Sequence, residues 1–124
     1  MRVVLIGATT NLDRYAYKCA EELVQYGHEV FLFGVKNGYV AGLPIINDKP
    51  LIPNVDTVTL YIAPKIQEDW LDYIVSIHPR RVIFNPGTEN MKAYSRLKEA
   101  GISYENACTM VLLATKQFEV FKPE

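Results

Sequence analysis

Short unbroken apolar runs alternate along this chain with stretches of helical period. Val3, Val4, Leu5 and Ile6 form the first run, which stops at Gly7. An uninterrupted aliphatic run of this length predicts a strand covered on both faces. Residues 7–13 are small or polar and predict a loop. From Arg14 the spacing changes: Ala16, Ala20, Leu23 and Val24 fall on one helical face, and Gly27 is the expected stop. Residues 30–33, Val-Phe-Leu-Phe, predict a second buried strand, closed by Gly34.

Residues 36–55 break this rhythm. Gly38, Gly42, Pro44, Pro50 and Pro53 crowd the stretch and predict a loop with at most one short strand, at 44–46. A third firm strand follows at 58–62. Pro64 then opens a helix through Ile77, with Trp70, Leu71 and Ile74 facing inward. Proline suits this place because its missing N–H would be unpaired there anyway. A fourth strand at 81–84 ends at Asn85-Pro86-Gly87, and Thr88 is the expected cap of a helix to Ala100, with Gly101 as its stop. A short last strand is expected at 102–104, and Asn106 is expected to cap a final helix through Gln117. Residues 121–124 are expected to fray.

Strands that alternate with helices imply right-handed β-α-β units and a parallel sheet. The expectation is a three-layer α/β fold, with five or six parallel strands in the order 3-2-1-4-5 and helices on both faces. In such sheets ligands bind outside the carboxyl ends of the strands, where the strand order reverses. The candidate site therefore consists of the loops at 7–13, 34–37, 63–65 and 85–88.

Composition narrows the classes. The 124 residues carry 13 basic and 14 acidic side chains, a net charge of −1, which argues against a nucleic-acid binder. They amount to one domain, spanning 1–124. No apolar stretch is long enough to span a membrane. Residues 1–7 do not read as a signal peptide. Cys19 and Cys108 are far apart and form no metal-binding motif with the two histidines. These features place the chain in a reducing cytoplasm. Tyr39, Trp70, Tyr73 and Phe118 make an aromatic set large for a lone small domain; read as exposed it predicts a homodimer, and the alternative is that some of these rings are core.

The first loop reads Gly7-Ala8-Thr9-Thr10-Asn11. It combines a tight turn with hydroxyl groups ahead of a helix N-terminus, an arrangement that favours phosphate. Arg14 could add a charge-assisted bond. The dinucleotide fingerprint G-x-G-x-x-G is absent. After the second strand stands Lys36 rather than the acid of an NAD site. A lysine there suits the 2′-phosphate of NADP or the 3′-phosphate of coenzyme A, and does not choose between them.

Several ordered features resemble the small bacterial CoA-binding proteins of Rossmann-like fold, which are similar to the CoA-binding domain of the succinyl-CoA synthetase alpha subunit. They are Val4-Leu5-Ile6-Gly7-Ala8-Thr9, Asp13-Arg14, Gly42-Leu43-Pro44-Ile45, the run from Val58 to Pro64, Asn85-Pro86-Gly87, and Glu105-Asn106-Ala107-Cys108. The pattern departs where many members carry Asn-Pro after the second strand, since Gly34-Val35 stands here, and again at Ala107. The resemblance implies a pyrophosphate cradle at Gly7, Ala8, Thr9 and Thr10, and a 3′-phosphate or ribose contact at Lys36. It implies an adenine or upper pantetheine slot at Ala63 and Pro64, and a pantetheine arm flanked by Asn85, Pro86 and Gly87.

Nothing in the chain assembles a catalytic constellation. His28 and His78 read as surface or capping residues. Cys108 is the one candidate nucleophile, and no histidine is placed beside it; Cys19 reads as core. Asp69, Glu89 and Glu105 read as scattered helix-end and surface charges. The leading expectation is a CoA or acyl-CoA binder, non-catalytic on its own. The alternatives are an NADP-type nucleotide-binding protein or oxidoreductase fragment, and a vestigial site in a protein that acts by association.

Overall fold

Every helix and all but two of the strands in the computed structural model, which describes residues 1–120, stand where an apolar run or stripe calls for them. In chain order they are β1 (Arg2–Ile6), α1 (Tyr15–Gln25), β2 (Glu29–Phe33), β3 (Tyr39–Val40), β4 (Leu43–Ile46), β5 (Thr57–Leu60), α2 (Pro64–Ile77), β6 (Arg81–Phe84), α3 (Met91–Glu99), β7 (Ser103–Asn106) and α4 (Thr109–Ala114). The expected fraying at 121–124 lies outside the described residues.

The sheet has seven strands in the order β3-β4-β2-β1-β5-β6-β7. Count and order therefore differ from the expected five or six strands. Six strands run parallel, and β3 joins the edge by an antiparallel pairing with β4. The turn between them is Ala41-Gly42, with φ of 54° and 79°. Two positive φ values match the right-handed twist of a hairpin and normally attract Asn-Gly or Asp-Gly. Alanine at the first position hides that signal, so the hairpin is not legible in the chain.

Side chains alternate across β1. Val4 and Ile6 enter one core with Leu71, Ile74 and Ile77 of α2 and Ala93 and Leu97 of α3. Val3 and Leu5 enter the other with Ala16, Cys19, Ala20 and Leu23 of α1 and Leu113 of α4. Helices thus cover both faces, and the strand order reverses between β1 and β5. These two strands pair in register from Val3 opposite Thr57 to Ile6 opposite Leu60, so their carboxyl ends finish level.

Three of the four aromatics expected on the surface are packed. Phe118 is buried beneath the Arg81 guanidinium, 4.6 Å from its ring centroid, and Tyr73 is also buried. Trp70 lies edge-on to both Phe33 and Tyr73, each at 5.9 Å. Only Tyr39 stays exposed. Trp70 and Tyr73 lie on the side of α2 that packs on the sheet, and Phe118 follows α4 in the segment that returns over Arg81 and His28. His28 is likewise buried rather than superficial; it lies 3.3 Å from the N-terminal amine and against Phe118.

Candidate functional site

The first loop leaves the end of β1 beside the end of β5. Gly7 has φ +107°, and a Cβ there would stand 2.8 Å from the Tyr61 carbonyl oxygen. Glycine is therefore required by the approach of the two strand ends, as well as by the turn. The N–H groups of Gly7 and Ala8 both donate to the Phe33 carbonyl, at 2.9 and 2.8 Å. This corrects half of the expected cradle: those two donors are engaged with β2 and are not available to a ligand.

Thr9 and Thr10 are different. Among the described residues their N–H groups donate to no protein acceptor. The loop braces itself around them. Asn11 N–H donates to Thr9 Oγ1 at 3.1 Å, Asp13 N–H to Asn11 Oδ1 at 3.0 Å, and Arg14 N–H to the Asn11 carbonyl at 3.1 Å. Arg14 is the N-cap of α1 rather than part of its first turn, and its side chain makes no cap bond. No acid occupies that turn. The N-terminus of α1 thus has neither a side-chain cap nor an acid in its first turn, and Asp13 stands one residue before the cap.

Lys36 is exposed on the loop after β2 and, among the described residues, in no ion pair. Ala63, the N-cap of α2, and Pro64, its first residue, form the opposite rim, also exposed. A separate cleft of about 530 Å³ lies farther along, lined by Pro64, Lys65, Glu68, Asn90, Met91 and Lys92. It shares only Pro64 and Lys65 with the expected site loops.

Two solved structures show how far this arrangement is shared. A crystal structure described as an uncharacterized protein is 48% identical, with a TM-score of 0.92, over 94% of this chain and 97% of the other. A hypothetical protein from Pyrococcus horikoshii OT3 is 24% identical, with a TM-score of 0.78, over 93% and 82%, and shows the fold alone. No curated protein matches. A family model described as CoA binding domain matches residues 1–114. The chain belongs to the CoA binding domain family.

Within this CoA binding domain the loop after β6 is built differently from the loop after β1. Asn85 was expected to flank a ligand, but it is fully buried. Its Nδ2 donates to Thr59 Oγ1 at 2.7 Å and to the Leu60 carbonyl at 2.8 Å. Its Oδ1 accepts from Thr109 N–H at 2.9 Å. Thr59 and Thr109 close the ring through their hydroxyls at 2.8 Å. The side chain is thereby a rivet joining β5, β6 and α4, with no amide group left over. Pro86 and Gly87 are exposed, but Gly87 N–H donates to Glu89 Oε1 at 2.8 Å.

A second polar strap was not anticipated. Gln67, fully buried, donates to the carbonyls of Ile62 at 3.0 Å and Thr88 at 2.7 Å, and accepts from Asn90 Nδ2 at 3.0 Å. Thr88 does not cap α3, because its hydroxyl donates to the Asn85 carbonyl at 2.7 Å; Asn90 caps instead, accepting from Lys92 N–H. Asn106 caps nothing: it ends β7 and accepts from the Tyr94 hydroxyl at 2.6 Å, while Cys108 is the N-cap of the shorter α4. The signal for Gln67 was its place on the apolar stripe, four residues before Leu71 and seven before Ile74. A polar residue on such a stripe needs partners.

Burial pushes the Cys19 thiol up to about 12, beside a Tyr61 hydroxyl that burial also shifts upward. Cys19 is therefore an inert core thiol. Neither histidine accompanies Cys108: His28 sits against the N-terminal amine, and His78 caps α2 in the left-handed region and meets the Ala100 carbonyl at 3.1 Å. Glu105 faces Arg81 at 3.9 Å. Among the described residues no metal-binding cluster occurs, and no helix is long and apolar enough to cross a membrane.

Proposed function

We propose that this protein binds coenzyme A or an acyl-CoA in the crevice where β1 and β5 end, and that it performs no chemistry alone. The observation that carries this reading is the pair of open N–H groups on Thr9 and Thr10, set before the uncapped positive end of α1 in a CoA binding domain. A diphosphate answers both features, because backbone donors and a helix dipole favour anions. Lys36 would meet the 3′-phosphate as a mobile point charge, and Ala63 with Pro64 would supply an apolar rim.

Thermal-shift and calorimetric titrations with CoA, acetyl-CoA, dephospho-CoA, NAD and NADP test the reading. Ligand at 100 times its dissociation constant stabilises by about 2.7 kcal/mol. Stabilisation by CoA or acetyl-CoA well beyond that by NADP is the expected result. A preference for NADP would overturn it in favour of an NADP-type nucleotide site, and no response to any of the five would point to a vestigial one.

A further inference from the structure

We propose that Gly34 and Asn47 form a clip with two halves that aim the anion-binding groups of the crevice, Gly34 the Thr9 N–H and Asn47 the Lys36 side chain. The proposal rests on the CoA reading and assigns two positioning residues to it. Gly34 is buried at the end of β2, where the Ala8 carbonyl oxygen lies 2.5 Å from the place its Cβ would occupy. That carbonyl therefore points at Gly34. No peptide bond among the described residues is cis. In a trans peptide the C=O and the next N–H point in opposite directions. With the Ala8 oxygen turned into β2, the Thr9 N–H is turned away from it, and the structure gives it no protein acceptor. Only glycine at 34 permits this peptide plane.

Gly34 cannot retreat to make room for a side chain. Its N–H donates to the Ile46 carbonyl at 3.1 Å, and its own carbonyl accepts from Asn47 Nδ2 at 3.0 Å. Ile45 Cγ2 would lie 3.1 Å from a Cβ on the other side. An added methyl group must therefore displace the Ala8–Thr9 peptide. The same Asn47 Nδ2 reaches the Lys36 carbonyl at 3.4 Å. With glycine at 34 the Ala8–Thr9 peptide keeps its plane on the Gly34–Ile46 bond, so what Asn47 alone supplies is an anchor for the backbone from which the lysine projects. Lys36 has a long flexible stem, so anchoring its origin limits the volume its ammonium explores.

Calorimetry with CoA and dephospho-CoA, which lacks the 3′-phosphate, separates the two halves of the clip. Gly34→Ala should weaken both ligands by the same factor, roughly tenfold, the loss of one hydrogen bond to a charged group. Asn47→Ala should weaken CoA several-fold and leave dephospho-CoA within about twofold, as expected for one exposed charge contact. In a Lys36→Ala background, Asn47→Ala should then change CoA binding no further. Equal losses of both ligands in Asn47→Ala would mark a merely structural residue and overturn that half.

Amide NMR of the unsubstituted protein tests the Gly34 half even if Gly34→Ala fails to fold. On adding CoA the Thr9 amide proton should shift downfield, while those of Gly7 and Ala8, held by Phe33, stay in place. CoA binding measured by calorimetry with a stationary Thr9 amide would refute the clip and leave the CoA reading intact. No heat with CoA would refute the reading itself, and the clip with it.

Discussion

The carboxyl edge of the sheet is built in two halves that treat their polar groups in opposite ways. Around the ends of β5 and β6, buried Asn85, Thr59, Thr109, Gln67 and Thr88 are bonded to one another and to strand-end carbonyls. Around the ends of β1 and β2, among the described residues, two N–H groups donate to no protein acceptor, a helix terminus has no side-chain cap and the Lys36 ammonium is in no ion pair. Buried polar groups must be satisfied where they stand, whereas exposed ones at a loop can wait for a ligand. Asparagine and threonine at a strand end are thus not in themselves binding residues. What decides is whether the fold has already used their hydrogen bonds.

The comparison is most exposed to failure at Asn85. Replacing it by Leu leaves the Leu60 carbonyl and the Thr109 N–H buried without that partner and breaks the Thr59 bond. The expected cost is about 3 kcal/mol in urea unfolding, with CoA affinity of the folded fraction unchanged. A stable variant that no longer binds CoA would move Asn85 back into the site. Gly7→Ala comes next. Its Cβ meets the Tyr61 backbone at a φ that L-residues avoid, so about 2 kcal/mol of stability should be lost before any ligand is added. A melting temperature equal to the parent's would show that the β1–β5 approach is looser than described.

The opposite end of the sheet provides a check on pH. Burial, then the N-terminal ammonium, holds His28 below its ordinary value of 6.5. The folded state thus favours neutral imidazole, so the unfolded chain takes up the proton first. Stability should be complete above 6.5 and decline as the pH falls through and below it. Urea midpoints across this range should flatten in His28→Gln, while the ligand-induced shift, which arises at the other edge, keeps its size. The smallest expected effect is that of Lys36→Ala, about 1 kcal/mol or less in CoA affinity. It should shrink as salt is raised. A loss that ignores salt would mean the lysine acts through packing.

The helix Pro64–Ile77 and the strand Arg81–Phe84 were legible to the residue, because proline, an apolar stripe and an unbroken aliphatic run all agree there. Caps were less legible. Thr88 and Asn90 both suit an N-cap, and only the Thr88 bond to Asn85 decides between them. The hairpin at Ala41-Gly42 was hidden by a residue that rarely adopts positive φ. The loops after β1, β2, β5 and β6 stand where the strand order placed them, but two of the donors expected on the first loop, the N–H groups of Gly7 and Ala8, go to Phe33.

Local pattern determined the α/β alternation, the parallel character of most of the sheet and the edge on which the loops after β1, β2, β5 and β6 gather. These follow from burial periodicity, which each segment carries in its own residues. The tertiary structure alone decided which polar groups remain open. A hydrogen bond between Asn85 and Thr109, or between Ala8 and Phe33, joins residues more than twenty positions apart. No local pattern encodes such pairs, because they exist only once the strand ends have been brought side by side.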